Sequence, residues 1–304
     1  MDLNAQLSGT GVALVTPFTA MGAIDYVALQ KLIEHVIDGG VDFLVALGTT
    51  GEAVNLTTRE CRAVFDFIIR VTDGRKPIVA GLFGHNFTEK LREGIANYDF
   101  SGMSAIMSSS PAYIKPSQEG IYAHYMRIGE LAPLPIIIYN VPGRTGSNVE
   151  ASTTLRLANQ GDRFIAVKEA AGSLEQVMHI LRGCPPHFRV LSGDDVLTLP
   201  LIACGGHGVI SVIANAYPEH FSEMVRSARS GDLVAARRWN ESLLPVHTHL
   251  YAEGNPTGIK AALELLNVCE RHTRIPITPM SEAGVLKLRE AMEGVAALSA
   301  TSVG

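Results

Sequence analysis

Lys168 is the residue whose position in the sequence points most directly to chemistry. It follows the apolar run Phe164–Val167 and precedes Glu169. Burial makes a charged ammonium costly, and a neutral amine can attack a ketone to form a Schiff base. The ordinary alternatives are an ion pair with Glu169 and a strand-end lysine that reaches water.

Tyr139 could supply the proton transfers that such a reaction needs. It ends the apolar run 136–139, which precedes the Lys168 run along the chain. If the two runs are neighbouring strands, the phenol can reach the Lys168 amine while a carbinolamine forms and loses water. The ordinary alternative is a tyrosine that only packs at a strand end.

Two loops could bind carboxylates. The loop Gly48–Gly51 combines backbone N–H groups with the hydroxyls of Thr49 and Thr50, which suits a small carboxylate. Arg144 lies between two glycines and could form a forked contact with a carboxylate. The alternatives are an ordinary tight turn for the first loop and a surface arginine in a flexible loop for the second.

Other candidate sites are weaker. His247 and His249 resemble a metal pair, but residues two apart on a helix face different directions, so no metal site is expected. Asp194 and Asp195 could form a carboxylate pair, although a helix N-terminal cap is the favoured interpretation. The sequence contains no HExxH, P-loop or GxSxG motif.

Eight short apolar runs must position these residues, and an amphipathic stretch follows each of them. The runs are Gly11–Val15, Phe43–Leu47, Pro77–Ala80, Ser104–Met107, Ile136–Tyr139, Phe164–Val167, Phe188–Leu191 and Val209–Val212. They lack polar alternation, as expected for parallel strands covered on both faces. The pattern predicts a (β/α)8 TIM barrel with its site at the carboxyl ends of the strands. An open doubly wound sheet is less favoured because no GxGxxG follows the first run.

Local signals mark where the helices begin. Asp25, Thr57 or Thr58, Ser117 and Ser173 each precede a stretch of helical periodicity, and Gly39-Gly40 ends the first of these stretches.

The chain is predicted to have two parts. Residues 1–217 form the barrel that carries the active site, and residues 218–304 form the last barrel helix and a C-terminal helical extension. The segment Val196–Pro218 lacks Asp, Glu, Lys and Arg, but it contains Pro200 and paired glycines. A short buried helix followed by a buried strand explains this segment better than a membrane span.

Composition excludes several classes of protein. The 304 residues are 47% hydrophobic and 18% charged, with a net charge of −5, which argues against a nucleic-acid or anionic-membrane partner. The four cysteines are far apart and are expected to be reduced. Met1–Asn4 shows no secretory signal, so a cytoplasmic location is expected.

Five strings in fixed order are similar to the dihydrodipicolinate synthase and N-acetylneuraminate lyase family of class I aldolases. These strings are Gly48–Glu52, Tyr139–Gly146, Val167–Ala170, Ser192–Asp195 and Gly205–Val212. The similarity runs over nearly the whole chain, and the string Tyr139–Gly146 resembles the synthase branch of the family.

The resemblance implies a lyase of lysine (diaminopimelate) biosynthesis that needs no cofactor or metal. Lys168 would form an imine with pyruvate, and the derived enamine would attack L-aspartate 4-semialdehyde. Tyr139 would donate and accept protons, and Thr49 would relay them to Tyr113 of a neighbouring subunit in a homotetramer, a dimer of dimers.

The resemblance also implies how the two substrates are held. Thr50 would bind the pyruvate carboxylate, the Ile210 carbonyl would line the pyruvate site, and Arg144 would bind the carboxylate of the semialdehyde. A different pyruvate-dependent aldolase, acting on a sugar acid or a hydroxy-oxo acid, is the alternative. A non-catalytic binding protein is disfavoured because the four residues of the proton relay and the Schiff base are all present.

The sequence departs from the family at the site where L-lysine inhibits many members. That pocket often uses a histidine, a glutamate and a tyrosine, and the matching positions here are Cys61, Lys90 and Ala112. Inhibition by L-lysine is therefore expected to be weak or absent, unless the nearby Glu89 replaces the missing glutamate.

Overall fold

The described residues fold into a closed barrel of eight parallel strands. The computed structural model describes residues 6–82 and 87–301, so Met1–Asn4 lies outside the described part. Each strand pairs with the next and β8 pairs with β1, which confirms the predicted barrel. The strands are β1 Gly9–Ala13, β2 Phe43–Ala46, β3 Ile78–Leu82, β4 Ala105–Ser109, β5 Ile136–Asn140, β6 Phe164–Glu169, β7 Arg189–Ser192 and β8 Gly208–Ser211.

All eight predicted runs contain strands, with ends that differ by one or two residues. β1 begins at Gly9 and ends before Leu14 and Val15, which stay buried although they lie outside the strand. An apolar run therefore marks burial rather than the ends of the hydrogen-bonded ladder. At β6 the strand extends through Lys168 and Glu169, so the polar residues belong to the strand itself.

Helices surround the barrel, and three more follow the last barrel helix. The helices are α1 Tyr26–Asp38, α2 Thr58–Thr72, α3 Thr88–Ala96, α4 Gln118–Gly129, α5 Pro142–Thr145, α6 Ala151–Ala158, α7 Leu174–Gly183, α8 Thr198–Ala203, α9 Pro218–Arg229, α10 Leu233–Leu250, α11 Thr257–Leu265 and α12 Glu282–Thr301. Helix α10 packs on both α9 and α12. The division at residue 218 stays a prediction.

The predicted helix starts are confirmed by hydrogen bonds. The side chains of Asp25, Ser117 and Ser173 accept bonds from the backbone N–H groups three residues further on. Thr57 does the same for Glu60, whose carboxylate accepts the Thr57 N–H at 2.9 Å, forming a capping box. The sequence predicts these helix starts because a capping residue is adjacent in sequence to the helix that it caps.

The core has two layers, one inside the barrel and one between the strands and the helices. Inward-facing side chains, which include Phe43, Val79, Met107 and Leu191, fill the interior. The uncharged segment Val196–Pro218 contains helix α8 and strand β8, as predicted. Within the described ranges, no helix combines the length and the apolar character that a membrane crossing requires.

Candidate active site

A cavity of about 890 Å³ opens at the carboxyl ends of the strands. Its wall contains five of the residues singled out from the sequence, which are Thr49, Thr50, Tyr139, Arg144 and Lys168. They come from β5, β6 and the loops after β2 and β5, which the closed barrel brings to one end. The cavity thus holds an amine, a phenol, two hydroxyls and a guanidinium within one enclosure.

The amine and the phenol belong to adjacent strands. Lys168 and Tyr139 are register partners in the β5–β6 ladder, and the lysine Nζ lies 4.4 Å from the centre of the tyrosine ring. Each residue is only 5% exposed. Their shared register places both side chains on the inner face of the barrel.

Glu169 points away from Lys168, because successive residues of a strand face opposite sides of the sheet. Its carboxylate accepts hydrogen bonds from Asn140 Nδ2 at 3.0 Å and from Gln176 Nε2 at 2.9 Å. Burial raises the pKa of Glu169, and these donors oppose that rise. The ion pair between Lys168 and Glu169 that the sequence left open is therefore not formed within the described structure.

The loop after β2 contacts the C-terminal part of the chain through Asn255. The Thr50 hydroxyl accepts a bond from Asn255 Nδ2 at 3.1 Å, and Arg144 Nη2 donates to the Asn255 carbonyl at 3.4 Å. Gly51 closes the loop where a Cβ would stand 3.0 Å from the Leu14 carbonyl oxygen, so a side chain there would crowd the backbone. Asn255 thus links the two proposed carboxylate-binding residues.

A buried ion pair supports the same loop from below. Glu52 adopts the left-handed conformation, with φ of 54°, and its carboxylate accepts a bond from Lys260 Nζ of α11. Both side chains are fully buried, and Lys260 also donates to the His272 carbonyl at 2.9 Å. Burial lowers the pKa of Lys260, and the Glu52 carboxylate opposes that effect. The ion pair holds Glu52 in place, and Glu52 directly follows the loop that carries Thr49 and Thr50.

Two predicted site residues do not line the cavity in the described structure. Tyr113 is 89% exposed in the loop after β4, where its backbone N–H donates to the Thr145 carbonyl at 3.0 Å. The Ile210 side chain is 1% exposed and packs inside the barrel. Val212, two residues after Ile210, does line the cavity.

The expected helix cap is wrong for Asp195, whereas the Asp194 carboxylate accepts the N–H groups of Val196 at 3.0 Å and Leu197 at 3.4 Å, in the turn just before helix α8. Helix α8 begins after Leu197 without a side-chain cap. The Asp195 carboxylate instead accepts the Ile213 N–H at 2.8 Å and the Tyr251 hydroxyl at 2.6 Å. The folded barrel brings these distant donors to it, and they replace the local helix start that the sequence suggested.

Helix α10 contributes a face to the cavity that the sequence interpretation missed. The cavity wall includes Leu244, His247 and Thr248 in the last two turns of α10 and Tyr251 just after it. Their spacing is that of one helical face, but spacing alone does not show what that face meets. His247 is buried and His249 is half-buried, and the described residues hold no group of three or more side chains that could bind a metal.

Comparison with known proteins gives a consistent picture. Residues 6–295 match the Dihydrodipicolinate synthetase family. A 4-hydroxy-tetrahydrodipicolinate synthase of Parabacteroides distasonis is 45% identical over 291 residues, which cover 96% of this chain and 97% of that protein. A chloride-inhibited dihydrodipicolinate synthase of Acinetobacter baumannii, solved in complex with pyruvate, is 36% identical with a TM-score of 0.91, covering 95% of this chain and 99% of that one. The lysine-bound enzyme of Cyanidioschyzon merolae also has a TM-score of 0.91 and is 36% identical, covering 96% and 99% respectively.

Proposed function

The chain belongs to the dihydrodipicolinate synthetase family, and from this premise we propose that it acts as a 4-hydroxy-tetrahydrodipicolinate synthase. This lyase condenses pyruvate with L-aspartate 4-semialdehyde in the biosynthesis of diaminopimelate and lysine. The observation that carries the proposal is the buried Lys168 amine, 4.4 Å from the centre of the Tyr139 ring in a cavity of about 890 Å³.

The reaction begins with a covalent imine and needs no separate cofactor. The neutral Lys168 amine adds to the keto carbon of pyruvate, and the carbinolamine then loses water. Tyr139 gives a proton to the departing hydroxyl and takes one back, assisted by the Thr49 hydroxyl. Loss of a proton from the pyruvate methyl group converts the imine to an enamine, which is the carbon nucleophile.

Two residues that share Asn255 as a neighbour hold the two carboxylates. Thr50 binds the pyruvate carboxylate, and Arg144 binds the carboxylate of the semialdehyde. The guanidinium suits a carboxylate because its donors form a planar fork. The contacts of Thr50 and Arg144 with Asn255 support this division, since they hold both side chains at the cavity wall.

The second half of the reaction forms a ring and frees the enzyme. The enamine carbon bonds to the aldehyde carbon, whose oxygen takes a proton and becomes a hydroxyl. The amine of the semialdehyde then attacks the imine carbon, and the bond from that carbon to Lys168 Nζ breaks. The lysine leaves as a neutral amine after proton transfer, ready for another pyruvate.

Tyr113 has its role in a neighbouring subunit. Its ring is 89% exposed in the loop after strand β4, and it does not line the cavity of its own chain. We expect it to complete the proton relay of another subunit in a homotetramer built as a dimer of dimers. Mixing inactive Tyr113→Phe and Lys168→Ala chains, after dissociation and reassembly, should restore part of the activity. No recovery in verified mixed oligomers would contradict shared sites.

Reductive trapping tests the proposed function directly. Borohydride added with pyruvate should attach one pyruvyl group to the peptide that contains Lys168 and abolish activity, whereas EDTA should leave activity unchanged. Lys260, which is also buried but does not line the cavity, is an internal control and should remain unlabelled. Turnover with aspartate semialdehyde should exceed that with sugar aldehydes. Faster turnover with sugar aldehydes would identify a different pyruvate aldolase instead.

A further inference from the structure

His247 is a buried polar side chain in the cavity wall whose hydrogen bonds are missing. It is 3% exposed, and neither Nδ1 nor Nε2 has a hydrogen-bond partner among the described residues. A buried polar group without a partner costs free energy, so such groups are rare in folded proteins and need a reason.

The His247 side chain lies between helix α9 and the cavity. His247 shares its helical face with Leu244, Thr248 and Tyr251, and all four line the cavity. Behind it, Phe221 of α9 packs edge-on, with the ring centres 6.4 Å apart. An aromatic ring offers no ordinary acceptor or N–H donor. Neither imidazole nitrogen is exposed to the cavity in this structure, so a bound substrate reaches the imidazole only when the ring turns toward the cavity that it lines.

Charged groups of both signs line the cavity. Arg144 and Lys168 contribute cationic groups from the ends of β5 and β6, while Asp194 contributes a carboxylate after β7. Burial lowers the pKa of His247, and the carboxylates of Asp195 and Asp194 oppose this effect. A neutral imidazole has one nitrogen that accepts a hydrogen bond, and the nearby carboxylates favour a cationic donor.

We propose that His247 accepts a hydrogen bond from the ammonium group of the aldehyde substrate and so selects an amino-acid aldehyde over one without the amine. The inference rests on the proposed function, because that function requires an aldehyde with both a carboxylate and an ammonium group. Arg144 binds the carboxylate at one side of the cavity, and His247 binds the ammonium at the side of Asp194. Together the two contacts orient the aldehyde carbon toward the enamine.

Binding to the trapped enzyme separates this role from the chemistry. After reduction of the pyruvate imine, the enzyme cannot turn over, and calorimetry can compare aspartate semialdehyde with succinate semialdehyde, which lacks the amine. His247→Leu should weaken binding of aspartate semialdehyde about tenfold or more, with little change for succinate semialdehyde. His247→Gln should recover part of the loss, because its amide keeps an acceptor. An unchanged affinity ratio in His247→Leu would overturn the inference.

Two controls keep the result interpretable. His249→Leu alters a half-buried histidine on the same helix, outside the cavity wall, and should leave both affinities unchanged. If His247→Leu does not fold, the exchange of the His247 ring C2 hydrogen can be followed in the unaltered enzyme by mass spectrometry. Aspartate semialdehyde should slow this exchange more than succinate semialdehyde does, and equal effects would refute the role. Failure of the unaltered enzyme to trap pyruvate would instead refute the proposed function.

Discussion

Replacing Lys260 by methionine should destabilise the protein strongly, although the residue lies outside the cavity. The substitution preserves most of the buried volume, so the packing cost is small. It leaves the Glu52 carboxylate buried with two long contacts, from Asn55 Nδ2 at 3.2 Å and the Arg274 N–H at 3.4 Å. The His272 carbonyl also loses its donor.

The expected cost is about 3–5 kcal/mol in the free energy of unfolding, the usual result of removing one partner of a buried ion pair. For a chain of this size, such a loss lowers the melting temperature by about 5–8 °C. Because Glu52 follows Thr50 by two residues, the variant should also bind pyruvate more weakly. Urea unfolding, with the slope held common, measures the stability, and steady-state rates measure the KM for pyruvate.

Two further variants isolate the cause. Lys287→Met removes an exposed lysine from α12 and should change the stability by no more than about 0.5 kcal/mol. Glu52→Gln added to Lys260→Met should recover about 1–3 kcal/mol, because it removes the unpaired charge. A cost below about 1 kcal/mol for Lys260→Met, or no recovery with the second substitution, would show that the buried ion pair does not stabilise the fold in this way.

Four other outcomes are expected. Tyr139→Phe should lower kcat by a factor of about 10²–10⁴, with a smaller effect on KM, because it removes acid–base catalysis. Steady-state kinetics test this, and a change confined to KM would mean that the phenol only helps to bind substrate. Arg144→Ala should raise the KM for aspartate semialdehyde while leaving borohydride trapping of pyruvate intact, and loss of trapping would place the arginine in the pyruvate site. Burial lowers the pKa of His124 from 6.5 to about 4, so between these pH values the unfolded chain binds more protons than the folded one. The free energy of unfolding should therefore fall by up to about 3 kcal/mol as the pH drops from about 6.5 to 4. Urea titrations should show a flatter pH dependence for His124→Gln. L-Lysine should inhibit weakly in initial-rate titrations at subsaturating pyruvate, because Lys90 would repel the cationic inhibitor and Glu89 is already paired with two arginines. Strong inhibition at lysine concentrations below one millimolar would contradict this.

The sequence predicted the barrel and the proximity of Lys168 and Tyr139, because both follow from local apolar runs and from the closing of parallel strands into a barrel. Apolar runs located the strands, and a parallel closed barrel brings the ends of consecutive strands together. Once Tyr139 and Lys168 were placed at the ends of consecutive strands, their proximity required no further information.

The contacts of the C-terminal segment could not be predicted in this way. Asn255 bonds to Thr50 across 205 positions, and Tyr251 bonds to Asp195 across 56. An aspartate can accept from any backbone or hydroxyl donor that the tertiary structure supplies, so the local helix-cap rule predicted the wrong partner for Asp195. Helical periodicity showed that α10 has a face but not that this face meets the barrel mouth.

The contacts of Asn255 have a consequence for the order in which the enzyme matures on the ribosome. Translation delivers all eight strands before it reaches residue 255, so the nascent chain already contains Lys168 at the end of β6. Asn255 and Tyr251, which form part of the cavity wall, are synthesised only after all eight strands. A stalled or truncated chain that ends after β8 contains every strand, yet it lacks Lys260, the buried partner of Glu52, and Asn255, which bonds to Thr50 and Arg144. Partial translation products should consequently be catalytically silent even though they contain Lys168 and Tyr139.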